Sequence, residues 1–186
     1  VEFYVFEQDR LDAAIATAKK LEKKAKIHVE LETGMNRTGF SPNEILLTFK
    51  KIEANLDYIE VKGICTHFAG AENIANYKRI NDQLKRFRRY EMLLQDFKWL
   101  DAKKHLARSS ATIRYPKTQR DLVRMGILQF GFFPTQEIFV HYVTKFKTTV
   151  NPLLPILSWK SRVMDIKTVK AGEFIGYGTS YLTNHT

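Results

Sequence analysis

The sequence predicts an α/β fold built on a parallel sheet. Apolar runs of strand length alternate with segments of helical periodicity, and short connections with turn residues separate them. Strand, helix, strand, helix joined this closely implies right-handed crossovers.

Each element has its own justification. Val1-Glu2-Phe3-Tyr4-Val5-Phe6 reads as a strand. A helix follows over Asp9 to Lys24, with Leu11, Ile15, Ala18 and Leu21 on one side. Ile27 to Glu32 is the second strand, halted by Thr33-Gly34. Ser41-Pro42-Asn43-Glu44 then supplies an N-cap, a proline for the first turn and a carboxylate near the positive helix end, so a helix runs to about Ala54. Val61 to Thr66 is the third strand. Ile80, Leu84, Phe87, Leu94 and Phe97 recur at steps near three and four and mark the buried stripe of a helix from Tyr77 to Leu100. Leu106 to Ser109 and Leu122 to Leu128 read as two shorter strands.

After Pro155 the texture changes. Ile156 to Ile166 alternates loosely with Lys and Arg, and Lys170-Ala171-Gly172-Glu173 reads as a turn before a strand-like run from Phe174 to Leu182. This is antiparallel grammar, and it divides the chain near residues 148–155 into domains of residues 1–150 and 151–186. About five strands in about 135 residues are too few for a closed eight-stranded barrel, which takes ~250 residues. They fit a doubly wound sheet or a truncated barrel, and periodicity does not choose. The chain begins without Met inside one strand pattern and stops shortly after another, which leads us to expect a fragment.

Composition narrows the class. With 44% hydrophobic and 27% charged residues, the chain can bury a core, which excludes wholesale disorder. No apolar run approaches the ~18 residues of a membrane span, and no signal peptide is visible, so a cytoplasmic protein is expected. The single Cys65 excludes an intrachain disulfide framework and a multi-cysteine zinc module. Thirty basic residues against 20 acidic ones give +10, which invites a nucleic-acid reading. The densest cluster, Lys85, Arg86, Arg88 and Arg89, falls largely outside a helical stripe and reads as solvated cover. No nucleic-acid partner is expected, and one salt titration against DNA or RNA would test this.

Candidate chemistry sits where strands end, the usual place in α/β enzymes. After the second strand comes Thr33-Gly34-Met35-Asn36-Arg37-Thr38-Gly39-Phe40, where Arg37 can present a planar fork to a carboxylate. After the third comes Thr66-His67-Phe68-Ala69. Ala107-Arg108-Ser109-Ser110-Ala111 offers small hydroxyl side chains to a phosphate, and Val123-Arg124-Met125-Gly126-Ile127 places an arginine beside a glycine whose N–H can approach an anion. Taken singly, each has a bland reading: a structural histidine, a surface ion pair, a helix-capping serine. Together they point to a ligand that carries phosphate.

The order and spelling of these segments carry a resemblance. Leu31 to Gly39, Thr66 to Ala69, the Ser109 segment, Val123 to Ile127, Leu157-Ser158-Trp159-Lys160-Ser161-Arg162 and Ile175-Gly176-Tyr177-Gly178 resemble, in order, the bacterial alanine racemases. That family has an N-terminal (β/α)8 TIM-like barrel holding pyridoxal 5′-phosphate, a mostly β C-terminal domain, and a two-fold dimer with an active site shared between subunits. The resemblance implies that this chain is a partial barrel, strands four to eight, followed by the opening strands of the second domain. It implies an isomerase that interconverts L-alanine and D-alanine, the latter for peptidoglycan of the cell wall.

The resemblance also assigns roles. Tyr177 matches a catalytic tyrosine, one of two opposed acid/bases, since racemisation removes a proton from one face of the α-carbon and returns one on the other. Arg37 matches the arginine that contacts the substrate carboxylate and the cofactor's phenolic oxygen, and Arg124 the one facing the pyridine nitrogen. His67 matches the histidine beside the ring, while Ser109, Gly126 and Ile127 match phosphate ligands, the last two through backbone N–H groups. The family's cofactor-bonding lysine lies in a motif that this sequence lacks, and Lys160 is not at it, so the 186 residues by themselves are expected not to racemise alanine.

Two departures stand out. Where many members carry a lysine that becomes carbamylated and orients the arginine, this chain has Glu30, an encoded carboxylate expected to bond Arg37 directly or through one water. Where the family usually has asparagine, Arg108 precedes the serine, and it either adds charge near the phosphate or points into solvent. A non-catalytic pyridoxal-phosphate-binding barrel, a serine racemase and a related amino-acid decarboxylase are the competing readings.

Overall fold

The computed structural model describes residues 1–99 and 101–185, which form two compact units, Val1–Ile156 and Leu157–Thr186. In the first unit, β1 (Glu2–Val5), α1 (Gln8–Leu21), β2 (Ala25–Glu30), α2 (Ile45–Glu53), β3 (Ile59–Cys65), α3 (Tyr77–Leu94) and β4 (Lys103–His105) follow one another, then α4 (Ser109–Arg114) and α5 (Gln136–Phe146). The four strands are all parallel in the order β1-β2-β3-β4. Each new strand adds beside the last, without the reversal that defines a doubly wound sheet. That sequential order decides between the two α/β architectures in favour of part of a barrel.

The sheet has an apolar face and a polar one. Val5, Ile27, Val29, Leu31, Ile64 and Leu106 are buried in one cluster with Leu11, Ile15, Phe49, Ile52 and Phe87 of the helices. Alternate residues supply the other face, because successive strand side chains point to opposite sides. There the imidazoles of His28 and His105 meet at 2.8 Å, and His28 also bonds the Glu2 carboxylate at 2.8 Å. Gly63 admits them, since a Cβ at that position would collide with the His28 ring.

Several elements differ from the sequence expectation. α1 stops at Leu21 rather than Lys24, because Glu22 adopts a left-handed conformation (φ 50°) whose N–H and that of Lys23 turn back to the Lys19 and Ala18 carbonyls. Ser41 precedes rather than caps α2, its N–H and hydroxyl both donating to the Glu44 carboxylate. α3 ends at Leu94, where a turn carries Phe97 back onto Phe49, and the expected last residue, Leu100, lies outside the described residues. The strand expected over Leu106 to Ser109 ends at His105, and Ser109 opens α4 instead. The strand expected over Leu122 to Leu128 is reduced to one bridge, Arg124 opposite Arg108, with Asp121 and Arg124 N–H groups donating to the Lys104 and Ala107 carbonyls. The left-handed Arg120 before it and the turn into a 3-10 helix over Ile127–Phe130 leave no room for a longer ladder. α5, unassigned from sequence, starts at Thr135, whose hydroxyl accepts from the Ile138 N–H.

In the second unit the expected strand from Phe174 to Leu182 is a hairpin of β5 (Phe174–Ile175) and β6 (Tyr181–Leu182). Gly176, at φ 83°, supplies a conformation that L side chains resist, and Thr179 N–H donates to its carbonyl to close the turn. Thr183 fastens the base, its hydroxyl bonding the Lys170 carbonyl at 2.6 Å. Ile156 to Ile166 forms no strand among the described residues, and Val163, Met164 and Ile166 are exposed. Extended backbone needs a paired neighbour, so a loose apolar alternation alone does not make a strand.

Candidate functional site

The loops that follow β2, β3 and β4 are built to hold still. The Glu32 carboxylate accepts the N–H groups of Gly34, Met35 and Asn36, the last at 2.8 Å. Glu32 and Phe40 close the base of this loop through N–H···O bonds to the Phe40 and Glu30 carbonyls at 3.0 and 2.9 Å. Gly39 is required there, since its φ is 111° and a Cβ would strike the Glu32 backbone. Thr33 and Thr66 share a buried hydroxyl–hydroxyl bond at 2.6 Å that joins this loop to the next. α3 braces both: Arg86 and Arg79 donate to the Thr33 and Gly34 carbonyls, and the buried Gln83 amide pairs with both backbone groups of Ala69.

Arg124 ties the strand ends together. Its guanidinium donates to the Thr66 carbonyl at 2.5 Å and to the Leu106 carbonyl at 3.4 Å, while its Nε is buried with no hydrogen-bond partner among the described residues. The His67 Nε2 is likewise buried and unpaired. Burial, followed by the charges of Arg108, Arg124 and Arg37, pushes the His67 imidazole down to about 4, so this ring is neutral at pH 7.

Two adjoining cavities sit at these strand ends. One, of about 410 Å³, is lined by Tyr4, Phe6, Glu30, His67, Arg108 and Arg124 together with Met125 and Gly126. The other, of about 340 Å³, is lined by Glu72, Arg108, Ser109, Ser110, Gly126 and Ile127, with Pro134. Gly126 N–H donates to Ser109 Oγ at 3.0 Å, and a Cβ on Gly126 would meet only that oxygen, at 3.8 Å, so the space above it is open. The first cavity offers an aromatic wall, and two of its lining residues, His67 and Arg124, each hold one buried nitrogen without a hydrogen-bond partner among the described residues. The second offers the Ser109 hydroxyl, the Gly126 N–H that now donates to it, and the Arg108 guanidinium, a donor set that suits a phosphate. A flat, phosphorylated heterocycle such as pyridoxal 5′-phosphate fits this division of polar groups.

Of the residues selected from sequence, His67, Glu30, Arg124, Gly126, Ser109 and Ile127 line these two cavities. Arg37 does not line them: it is exposed and makes no hydrogen bond or ion pair among the described residues, though its charge is felt at His67 and Arg108. Of the two arrangements expected for Glu30 and Arg37, the direct hydrogen bond is not formed among the described residues. Glu30 is buried and accepts instead from the Thr38 hydroxyl at 3.0 Å, because Thr38 is the one of the two neighbours turned inward. Tyr177 is fully exposed, within the turn of the β5–β6 hairpin in the other unit. Sequence reasoning passed over Tyr4, Phe6 and Glu72. Alternation along the expected strand Val1 to Phe6 puts Tyr4 of β1 and Phe6 just after it on one side, whereas nothing local marks Glu72.

Comparison with known proteins agrees with this geometry. Residues 1–134 match the family model described as alanine racemase, N-terminal domain. An alanine racemase of Clostridium novyi is 32% identical over 185 residues, 99% of this chain and 45% of its own length. The crystal structure of alanine racemase from D-cycloserine-producing Streptomyces lavendulae superposes with a TM-score of 0.85 at 27% identity, over 99% of this chain and 47% of that one. The Bacillus anthracis alanine racemase with bound L-Ala-P superposes at 0.75 and 29% identity, over 100% of this chain and 46% of that one. The chain thus spans less than half the length of these relatives, and its matched residues carry the strand ends and both cavities. It belongs to the alanine racemase family.

Proposed function

We propose that the protein works as an alanine racemase that interconverts L- and D-alanine on pyridoxal 5′-phosphate and supplies D-alanine for peptidoglycan in the cytoplasm. The observation that carries this reading is the pair of buried, unpaired nitrogens, Arg124 Nε and His67 Nε2, beside a cavity that continues into the Ser109–Gly126–Ile127 seat. In this reading residues 1–150 are strands four to eight of the cofactor barrel, and residues 151–186 open the C-terminal β domain.

When bound, the cofactor supplies an electron-withdrawing ring that acidifies the α-hydrogen of an amino acid. Everything else falls to the protein. Ser109 Oγ and the N–H groups of Gly126 and Ile127 would hold the phosphate as an anchor, the Gly126 N–H turning to it from Ser109 Oγ. Arg124 keeps its proton at any physiological pH, so facing the cofactor's ring nitrogen it would donate a hydrogen bond without giving up that proton and would temper the ring as an electron sink. Neutral His67 orders that contact, and Tyr4 and Phe6 keep water from one side of the ring. Arg37 sits outside the cavities and takes the substrate carboxylate, and Glu30 fixes its loop through Thr38. Tyr177 holds or takes a proton at its phenolic oxygen on one face of the substrate. Its place on an exposed hairpin turn suits a residue delivered to the site of a partner subunit in a homodimer.

The test is racemisation by the full-length protein, followed by circular dichroism from either enantiomer of alanine and, in parallel, of serine. Turnover of alanine ahead of serine is expected. Cofactor binding without turnover of either would favour a non-catalytic pyridoxal-phosphate protein.

A further inference from the structure

We infer that Arg108 is a further ligand for the cofactor's phosphate group, so that this protein holds its phosphate with a guanidinium where the family's usual asparagine offers only a neutral amide. The inference rests on the reading of the two cavities given above. Arg108 is the one charged side chain that lines both, standing where the ring cavity passes into the phosphate seat beside Ser109 and Gly126. Its side chain is half-buried against both cavities and makes no hydrogen bond or ion pair among the described residues.

The electrostatics call for an anion at this point. Burial is the main cost to the Arg108 charge, and the like charges of Arg124 and Arg37 add to it, against Glu72 alone in its favour. Arginine cannot relieve that cost by losing its proton. Two guanidiniums, Arg108 and Arg124, line the cavities with two carboxylates, Glu30 and Glu72. Arg124 already donates to the Thr66 and Leu106 carbonyls, which leaves the donors of Arg108 without a partner among the described residues. A phosphate monoester, with nearly two negative charges at pH 7 and three acceptor oxygens, satisfies the half-buried planar donors of Arg108. A substrate carboxylate is the weaker candidate, because the neutral donors beside Arg108 are those of the phosphate seat.

The experiment measures dissociation constants of pyridoxal 5′-phosphate and of unphosphorylated pyridoxal for the apo form of the full-length protein, Arg108→Asn and Arg108→Lys, at two salt concentrations. A charge-assisted bond to phosphate corresponds to an affinity change of about 10- to 100-fold. Arg108→Asn should weaken pyridoxal 5′-phosphate by that factor, leave pyridoxal within about twofold, and flatten the salt dependence. Arg108→Lys should recover part of the loss, which also shows that the site still folds. Equal losses for both ligands, or no loss in a folded Arg108→Asn protein, would overturn the assignment while leaving the cofactor reading intact. Failure of the unaltered protein to bind pyridoxal 5′-phosphate would overturn both.

Discussion

Arg124 and Thr66 are joined by a guanidinium-to-carbonyl hydrogen bond of 2.5 Å that spans 58 positions of sequence and ties the segment after β4 to the end of β3. The same guanidinium keeps its Nε free and buried. That side chain braces the strand ends, and in the function proposed above it also faces the cofactor ring. Arg124→Gln should cost roughly 1–3 kcal/mol of stability, since carbonyls at a partly buried joint lose a charged donor. Urea unfolding measures this, and a change below a few tenths of a kcal/mol would show that the brace is idle.

His67 makes stability pH-dependent. Its imidazole is held down to about 4 by burial and then by Arg108, Arg124 and Arg37, against about 6.5 in an unfolded chain. Between those values the unfolded state binds a proton that the folded state refuses. Its contribution is thus fully present above about pH 6.5 and is lost as the pH falls towards 4. His105, held down to about 3 by burial, Arg124 and His28, acts with the same sign. Urea midpoints should fall from pH 7 to pH 4.5, and His67→Gln should shallow the fall. An unchanged slope would mean that His67 titrates normally.

Glu22 ends α1 in a left-handed conformation without the glycine that suits it. Glu22→Gly should stabilise the protein by about 1 kcal/mol, read from thermal or urea unfolding. Destabilisation would place the helix end elsewhere.

Glu30 supplies a carboxylate without carbamylation. Activity of the full-length protein should not respond to added bicarbonate, and Glu30→Gln should raise KM for alanine while changing pyridoxal 5′-phosphate affinity less than about twofold. Thr38 still finds an acceptor in the glutamine, so the loss reports the charge. Bicarbonate rescue of Glu30→Gln would contradict this.

Tyr177→Phe should separate the enantiomers. Loss of one acid/base blocks proton transfer on one face only, so deuterium wash-in from heavy water should persist for one enantiomer of alanine and largely vanish for the other. Equal residual exchange for both would remove Tyr177 from that role.

Local signals made much of this legible. The stripe of Ile80, Phe87 and Leu94 placed α3, and the apolar runs of β1, β2 and β3 placed the sheet, because periodicity reports which face a residue buries whatever it packs against. Turn and strand-end residues located His67, Ser109, Arg124 and Gly126, and alternation of strand and helix fixed the α/β class. What remained open depended on partners distant in sequence. Strand order alone separated a barrel from a doubly wound sheet, and order is a matter of which backbones pair. Leu122 to Leu128 has strand composition, yet only Arg124 bridges to Arg108, since a ladder needs a matching edge. The sequence places Arg37 and Thr38 side by side, and only Arg37 is expected from it to reach Glu30. The closed loop after β2 turns Thr38 inward, and a hydrogen bond forms only where a side chain ends up.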